Sequence, residues 1–305
     1  MTNQPASCIQ APRNPLVALA RRLYGGAHRR WLKWTRYRAP TPQRSYVYKT
    51  VGEVELCLHV FEPKQPHKPL PVILLFHGGG WFDGSPRMIF PECKHFASLG
   101  MVAISAQYRM LQTHGTSPFE SIADAKSAIR WVRRHATELQ VNPDLIVAGG
   151  TSAGGHLAIS LCLFDGIDGE DNDPSIPCAP QGLILWNPVL DSTMTGYVHG
   201  AKRLQDRAVE ISPVHHLRSG LPPCIIFHAT GDQCTPYECS ARFESLSREL
   251  GNPCQLVTFE GRRHGFHQHT SVVGYVDDNN DFNACMAEAD GFLLSLGCMP
   301  QKQPR

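Results

Sequence analysis

The chain has 305 residues, of which 42% are hydrophobic and 18% charged, so it can bury a sizeable core and is not a disordered protein. Its formal net charge of +2 does not by itself indicate a nucleic-acid partner, and no run reaches the ~18 apolar residues of a membrane-spanning helix. The 26 Gly and 24 Pro indicate many turns, as in a mixed α/β enzyme rather than a helical bundle.

The first 44 residues form a basic segment that contrasts with the rest of the chain. It contains nine Lys and Arg and no acidic residue, whereas the remainder has 20 basic and 27 acidic residues. Its apolar residues predict that it is partly helical. It lacks the apolar core and cleavage site of a secretory signal, so we expect a cytoplasmic protein. Three interpretations stay open: a helix near the mouth of the functional site, a weak membrane-surface contact, and an organelle-targeting peptide.

The 11 cysteines show no CxxC pair and no zinc-ribbon spacing. Several lie inside apolar runs, which is typical of small buried residues in a reducing compartment. We therefore expect no disulfide scaffold.

Residues 45–300 carry the pattern of one α/β domain. Residues 46–61 alternate apolar and polar on both sides of Gly52, which predicts two antiparallel strands or one bent strand. Short apolar runs, typical of strands buried on both faces, lie at 70–76, 101–106, 145–148, 183–186, 224–228 and 256–259. Helical patterns between them lie at 121–139, 153–164, 237–250 and 284–296. This alternation predicts a mostly parallel sheet with helices on both faces. Residues 191–217 are too long for a turn and predict a small lid, with a helix near 202–210.

A nucleophile motif follows the strand-like run at 145–148. Gly150–Gly154 read G-x-S-x-G, with Ser152 at the centre and a helical pattern directly after. This strand–turn–helix setting is that of a nucleophile elbow, where glycines on both sides remove Cβ atoms that would clash. The pattern predicts that Ser152 is a strained, exposed nucleophile at a helix N-terminus.

A second glycine motif, His77-Gly78-Gly79-Gly80-Trp81, follows the strand-like run at 70–76. Backbone N–H groups in such a loop can approach the oxygen that becomes negative when a serine attacks an ester carbonyl. We assign this oxyanion hole to Gly79, Gly80 and Ala153, with Gly78 as an alternative donor.

A serine nucleophile needs a base and a group that orients the base. His264 follows the strand-like run at 256–259, and Asp232 follows the run at 224–228, so both lie where parallel sheets place their functional residues. The order Ser152, Asp232, His264 is that of α/β-hydrolases. Asp191 is a rival for the acid.

Other polar and aromatic residues have less defined roles. Trp81 and Tyr108 are candidate walls of a substrate pocket, with core packing as the alternative. His156 and His228 are expected to be structural. His267 and His269 lie near His264 but have no Cys or carboxylate beside them to complete a ligand set, so we expect no metal site there and no cofactor.

Together, the segments HGGGW, GTSAGG, GDQCTP and RRHGF resemble the α/β-hydrolase esterases related to hormone-sensitive lipase and to the acetyl-esterase (BD-FAE-like) group. The resemblance extends from about residue 46 to residue 296. It implies an eight-stranded, mostly parallel sheet, no cofactor, and hydrolysis of short-acyl carboxylic esters. The triad positions match Ser152, Asp232 and His264. Residues 1–44 do not match the cap helices of the lipase-like branch.

The resulting hypothesis is a serine carboxylesterase that acts on small-molecule esters, with acetyl-type acyl groups. Two alternatives stay open on these residues. An amidase, peptidase or lactonase would use the same triad on another leaving group, because one fold hosts many chemistries. A non-catalytic binding protein with this fold is expected to lack a triad member, and all three are present here. The alcohol part of the substrate and the oligomeric state are not determined by the sequence.

Overall fold

The computed structural model describes residues 40–64, 69–169, 173–194, 204–273 and 278–299, and one central sheet organises them. Its strands are β1 (Arg44–Val51), β2 (Val54–Phe61), β3 (Leu70–Phe76), β4 (Val102–Ala106), β5 (Val141–Thr151), β6 (Gly182–Trp186), β7 (Cys224–Ala229) and β8 (Cys254–Phe259). They form an eight-stranded sheet in the order β1-β2-β4-β3-β5-β6-β7-β8. β1, β2 and β4 pair antiparallel, and every other pairing is parallel, so the predicted mostly parallel sheet is confirmed.

Helices connect the strands and cover both faces of the sheet. They are α1 (Phe90–Ser98), α2 (Leu111–His114), α3 (Pro118–Arg134), α4 (Ala136–Leu139), α5 (Ala153–Ser160), α6 (Tyr237–Glu249) and α7 (Asn280–Ser295). The start of α3 illustrates how local sequence fixes an element. Ser117 and Glu120 form a reciprocal capping box, and Pro118 occupies the first turn, where no backbone N–H is needed. No helix in the described ranges is both long and apolar enough to cross a membrane.

Alternate residues of each central strand enter two separate apolar clusters. In β3, Leu74 and Phe76 point to the cluster that contains the buried side of α3 and α5. Ile73 and Leu75 point to the opposite cluster, which contains residues of α1 and α7. A strand buried on both faces has no polar alternation, which explains the continuous apolar runs in the sequence.

Several predicted boundaries differ from the structure. The hairpin at Gly52 is confirmed as an antiparallel pair. The single helix predicted over 121–139 is two helices, α3 and α4. Helix α1 had no prediction, because the buried Glu92 interrupts the apolar pattern of its inner face. The predicted lid contains short 3₁₀ helices at Gln205–Ile211 and Pro213–His215 within the part that is described. Of the basic segment 1–44, residues 1–39 lie outside the described residues.

Nine cysteines of the described residues are free thiols, as expected without a disulfide scaffold, and they include Cys162, Cys224 and Cys285. The expectation is wrong at Cys57, which is buried and disulfide-bonded.

Candidate active site

Ser152 occupies a sharp turn between β5 and α5. Its backbone has φ 56° and ψ −119°, a strained combination for a residue with a side chain. Its N–H donates to the carbonyl of Trp186 at 2.8 Å, which ties the turn to the end of β6. A Cβ atom at Gly150 would lie 2.4 Å from the backbone of Gly154, and one at Gly154 would lie 2.1 Å from the carbonyl oxygen of Phe76. Both positions therefore require glycine, as the motif predicts.

The glycine loop after β3 lies directly against this turn. A Cβ atom at Gly78 would lie 3.5 Å from the Cβ of Ser152. Gly79 and Gly80 have φ values of 123° and 62°, which residues with side chains rarely adopt. The carbonyl of Gly79 accepts hydrogen bonds from the N–H groups of Phe82 and Asp83, at 3.0 and 3.1 Å. The loop is thus a folded turn with a fixed shape beside Ser152.

Two aromatic residues and a histidine support the glycine loop from inside the protein. Tyr108 donates its hydroxyl to the carbonyl of His77 at 2.8 Å and stacks on the His77 ring, with ring centroids 4.4 Å apart. Burial lowers the pKa of His77 to about 4, so the ring is neutral at physiological pH. Trp81 has a φ of 54° and packs edge-on against His156. Tyr108 and Trp81 are both fully buried, so their proposed contact with substrate stays a prediction.

Asp232 and His264 form a direct pair at the carboxyl ends of β7 and β8. The Nδ1 of His264 donates to Oδ2 of Asp232 at 2.7 Å. Oδ1 of Asp232 accepts from the backbone N–H groups of Cys234 and Thr235, at 2.8 and 2.9 Å. Burial acts to raise the pKa of Asp232, but hydrogen bonds from His228 and His264 outweigh it and hold that pKa well below its usual range. Asp232 is therefore a fixed anion that orients the imidazole.

Asn187 was missed by the sequence analysis, although it contacts Asp232. It follows β6, is fully buried and has a φ of 44°. Its Nδ2 donates to Oδ2 of Asp232 at 2.9 Å, and its Oδ1 accepts from Nδ1 of His267 at 3.1 Å. Burial lowers the pKa of His267 to about 3, so His267 is a neutral donor that fixes which way the Asn187 amide faces. An Asn directly after a buried strand is the signal that could have identified it.

The rival residues occupy other networks. Asp191 accepts from the backbone and hydroxyl of Thr193 and from Ser212, and it lies 3.5 Å from Arg242. His156 bonds to the carbonyl of Ile211, and His269 bonds to Ser271. His228 bonds to Thr235 and Ser240 and also lies 3.5 Å from Oδ2 of Asp232. The carboxylate partner of His264 is thus Asp232, and β6 separates this pair from the strand that leads into the Ser152 turn.

This geometry can support a nucleophilic mechanism. β5, β6, β7 and β8 are consecutive neighbours in the sheet, so the turn at Ser152, the Asn187 position and the Asp232–His264 pair share one edge. A strained serine beside a glycine loop, together with an oriented imidazole, is the arrangement that acyl-transfer chemistry requires.

Comparisons with known proteins find that esterases and carboxylic ester hydrolases are similar to this chain. A family model described as BD-FAE matches residues 58–176. Esterase 2 of Thermogutta terrifontis, in its apo form, superposes with a TM-score of 0.79 at 40% identity, covering 87% of this chain and 98% of that one. The same enzyme has also been solved with propionate bound and with butyrate bound. Carboxylesterase NlhH of Mycobacterium tuberculosis is 29% identical over 243 residues, which cover 73% of this chain and 74% of NlhH.

Some relatives are considerably longer. A probable carboxylic ester hydrolase, LipM of Mycobacterium tuberculosis, is 27% identical over 223 residues, which cover 64% of this chain and 49% of LipM. The chain therefore matches about half the length of that relative.

Proposed function

The chain belongs to the α/β-hydrolase carboxylic ester hydrolases of the hormone-sensitive-lipase-like and BD-FAE type, and from this membership we propose that it is a serine carboxylesterase for short-acyl esters. The observation that carries the proposal is the strained turn at Ser152 packed directly against the glycine loop. This contact supports the proposal, because a hydroxyl close to backbone amides can have its tetrahedral anion stabilised by them.

In the proposed mechanism, the Ser152 hydroxyl oxygen forms a bond to the carbonyl carbon of the ester. Its proton passes to Nε2 of His264, and the resulting imidazolium is stabilised by the carboxylate of Asp232. The carbonyl oxygen becomes an anion, which accepts hydrogen bonds from the N–H groups of Gly79, Gly80 and Ala153, with Gly78 as the alternative donor.

The tetrahedral intermediate then collapses. The bond to the alcohol oxygen breaks, and His264 gives its proton to that oxygen, which leaves an acyl group on Ser152. Water repeats the sequence on the acyl-enzyme, with His264 again as the base, and releases the acid.

A preference for short acyl groups is supported by a relative: esterase 2 of Thermogutta terrifontis has been solved with propionate bound and with butyrate bound. We expect hydrolysis of p-nitrophenyl esters to be fastest for acyl groups of about two to four carbons. A maximum at long acyl chains would contradict this preference.

The direct test is the Ser152→Ala variant, assayed with p-nitrophenyl acetate. We expect a loss of about 10⁴-fold or more in kcat/KM with an unchanged circular dichroism spectrum. Asp191→Asn is the matched control, because Asp191 is an acid at the same sheet edge with separate partners, and it should retain activity. Esterase 2 of Thermogutta terrifontis is phosphorylated by paraoxon, so covalent labelling of this chain but not of Ser152→Ala is a second readout. Near-normal hydrolysis by Ser152→Ala would overturn the assignment.

A further inference from the structure

A thiol that the esterase mechanism does not use lies beside the Asp232–His264 pair. Cys234 is two residues after Asp232, and its side chain is partly exposed. One ligand atom each from Asp232, Cys234 and His264 lies within 4.8 Å of the others. Across the described residues, this is the one group of three His, Cys, Asp or Glu side chains whose ligand atoms lie so close together.

The three donors suit a particular class of metal ion. A thiolate sulfur, an imidazole nitrogen and a carboxylate oxygen are the ligands of Zn²⁺ and of softer divalent ions, whereas Mg²⁺ and Ca²⁺ prefer oxygen donors alone. Ligand atoms around a tetrahedral zinc ion lie about 3.3–3.8 Å apart, so shifts of about 1 Å would complete the site. His264 is 25% exposed and Cys234 is partly exposed, so both side chains are in contact with solvent, from which an ion arrives.

We propose that Asp232, Cys234 and His264 form an inhibitory binding site for Zn²⁺ and similar soft divalent ions. The ion is a reversible inhibitor, not a cofactor, and its inhibitory effect rests on the proposed esterase function.

The chemistry explains why binding would inhibit. The ion forms bonds to the Cys234 sulfur, to Nδ1 of His264 and to Oδ2 of Asp232, and it displaces the thiol proton into solvent. The single N–H proton of the neutral imidazole moves from Nδ1 to Nε2 as Nδ1 binds the ion. That nitrogen is the one that must accept the proton of Ser152, so the metal-bound ring cannot act as the base.

The first test measures inhibition. Initial rates with p-nitrophenyl acetate are recorded against ZnCl₂, each relative to the metal-free rate of the same variant, and EDTA is then added. We expect reversible inhibition by Zn²⁺, none by Mg²⁺ at the same concentration, and a midpoint raised at least about tenfold in Cys234→Ser. Cys178→Ser is the matched control, since Cys178 is also a free, partly exposed thiol, and it should keep full sensitivity. An equal midpoint for Cys234→Ser and the unsubstituted protein would overturn the proposal.

The second test measures binding without catalysis. Ser152→Ala keeps all three ligands, so titration with CoCl₂ should produce the near-ultraviolet charge-transfer absorption of a thiolate–Co²⁺ bond. The double variant Ser152→Ala/Cys234→Ser should lack it. If Ser152→Ala remained an active esterase, the esterase assignment would fail while this absorption still reported on the metal site. If Ser152→Ala and the double variant gave the same absorption, the proposed metal site would be refuted, whether or not Ser152→Ala had lost esterase activity.

Discussion

The Asn187→Asp substitution tests the hydrogen-bond chain behind the candidate triad. It replaces the Nδ2 donor, which lies 2.9 Å from Oδ2 of Asp232, by a carboxylate oxygen of nearly the same shape. Asp tolerates the positive φ of this position about as well as Asn, so the backbone cost is small. The substitution therefore isolates the effect of charge.

Two energies decide the protonation state of the new pair. At an effective dielectric constant of 20, two unit charges 2.9 Å apart repel by about 6 kcal/mol. Protonating one ordinary Asp carboxyl at pH 7 costs about 4 kcal/mol, given its unperturbed pKa of about 3.9. Because the repulsion is larger, the folded variant retains one proton between the two carboxyls at pH 7.

This retained proton makes the stability of the variant depend on pH. In the folded variant, the pKa of one carboxyl is raised above its value in the unfolded chain. The free energy of unfolding is therefore higher at low pH and falls as the pH rises. Between pH 5 and pH 7, the free energy of unfolding should fall by about 2.7 kcal/mol more in Asn187→Asp than in the unsubstituted protein.

The assay is urea unfolding, followed by tryptophan fluorescence at pH 5 and pH 7. Asn187→Gly is the matched control, because glycine accepts the positive φ and removes the amide without adding charge. Its unfolding free energy should be lower than that of the unsubstituted protein by a similar amount at both pH values. If Asn187→Asp showed the same pH dependence as Asn187→Gly, the inferred contact between residue 187 and Asp232 would be refuted.

Two further substitutions test other parts of the structure. Gly154→Ala would place a Cβ 2.1 Å from the carbonyl of Phe76, so we expect a loss of about 1–3 kcal/mol in unfolding free energy and about 10²-fold in kcat/KM. Gly291→Ala is the control for adding a methyl group at a glycine, because a Cβ there meets no atom within 4 Å. Burial raises the pKa of Glu92 to about 8, and its Oε2 has no partner among the described residues, so the folded protein holds a proton that the unfolded chain releases. As the pH rises from 5 to 8, the free energy of unfolding of the unsubstituted protein should therefore fall by about 1.4 kcal/mol per pH unit relative to that of Glu92→Gln. If the urea midpoints of the two proteins changed in parallel across that range, the result would contradict the burial of this carboxyl.

The elements that the sequence predicted best are those whose signal is local. The turn at Ser152 is specified by glycines two positions away on either side. The atoms that a Cβ at these glycines would strike belong to the turn itself and to the end of β3. The buried strands are marked by continuous apolar runs, because both faces of the sheet are covered. Helix α1 escaped prediction because its buried face includes Glu92 and Cys93, which break the apolar pattern.

The sequence by itself determined that this is an α/β chain. It also determined that the chain contains a strained serine, a glycine loop, and an acid and a histidine that follow successive strands. Only the tertiary structure decided which groups meet. Asn187 contacts Asp232 across 45 residues because β6 and β7 are neighbours in the sheet, and Tyr108 reaches His77 because β4 lies beside β3. No local pattern encodes these contacts, since they depend on strand order, which is set by how the whole chain buries its apolar surface.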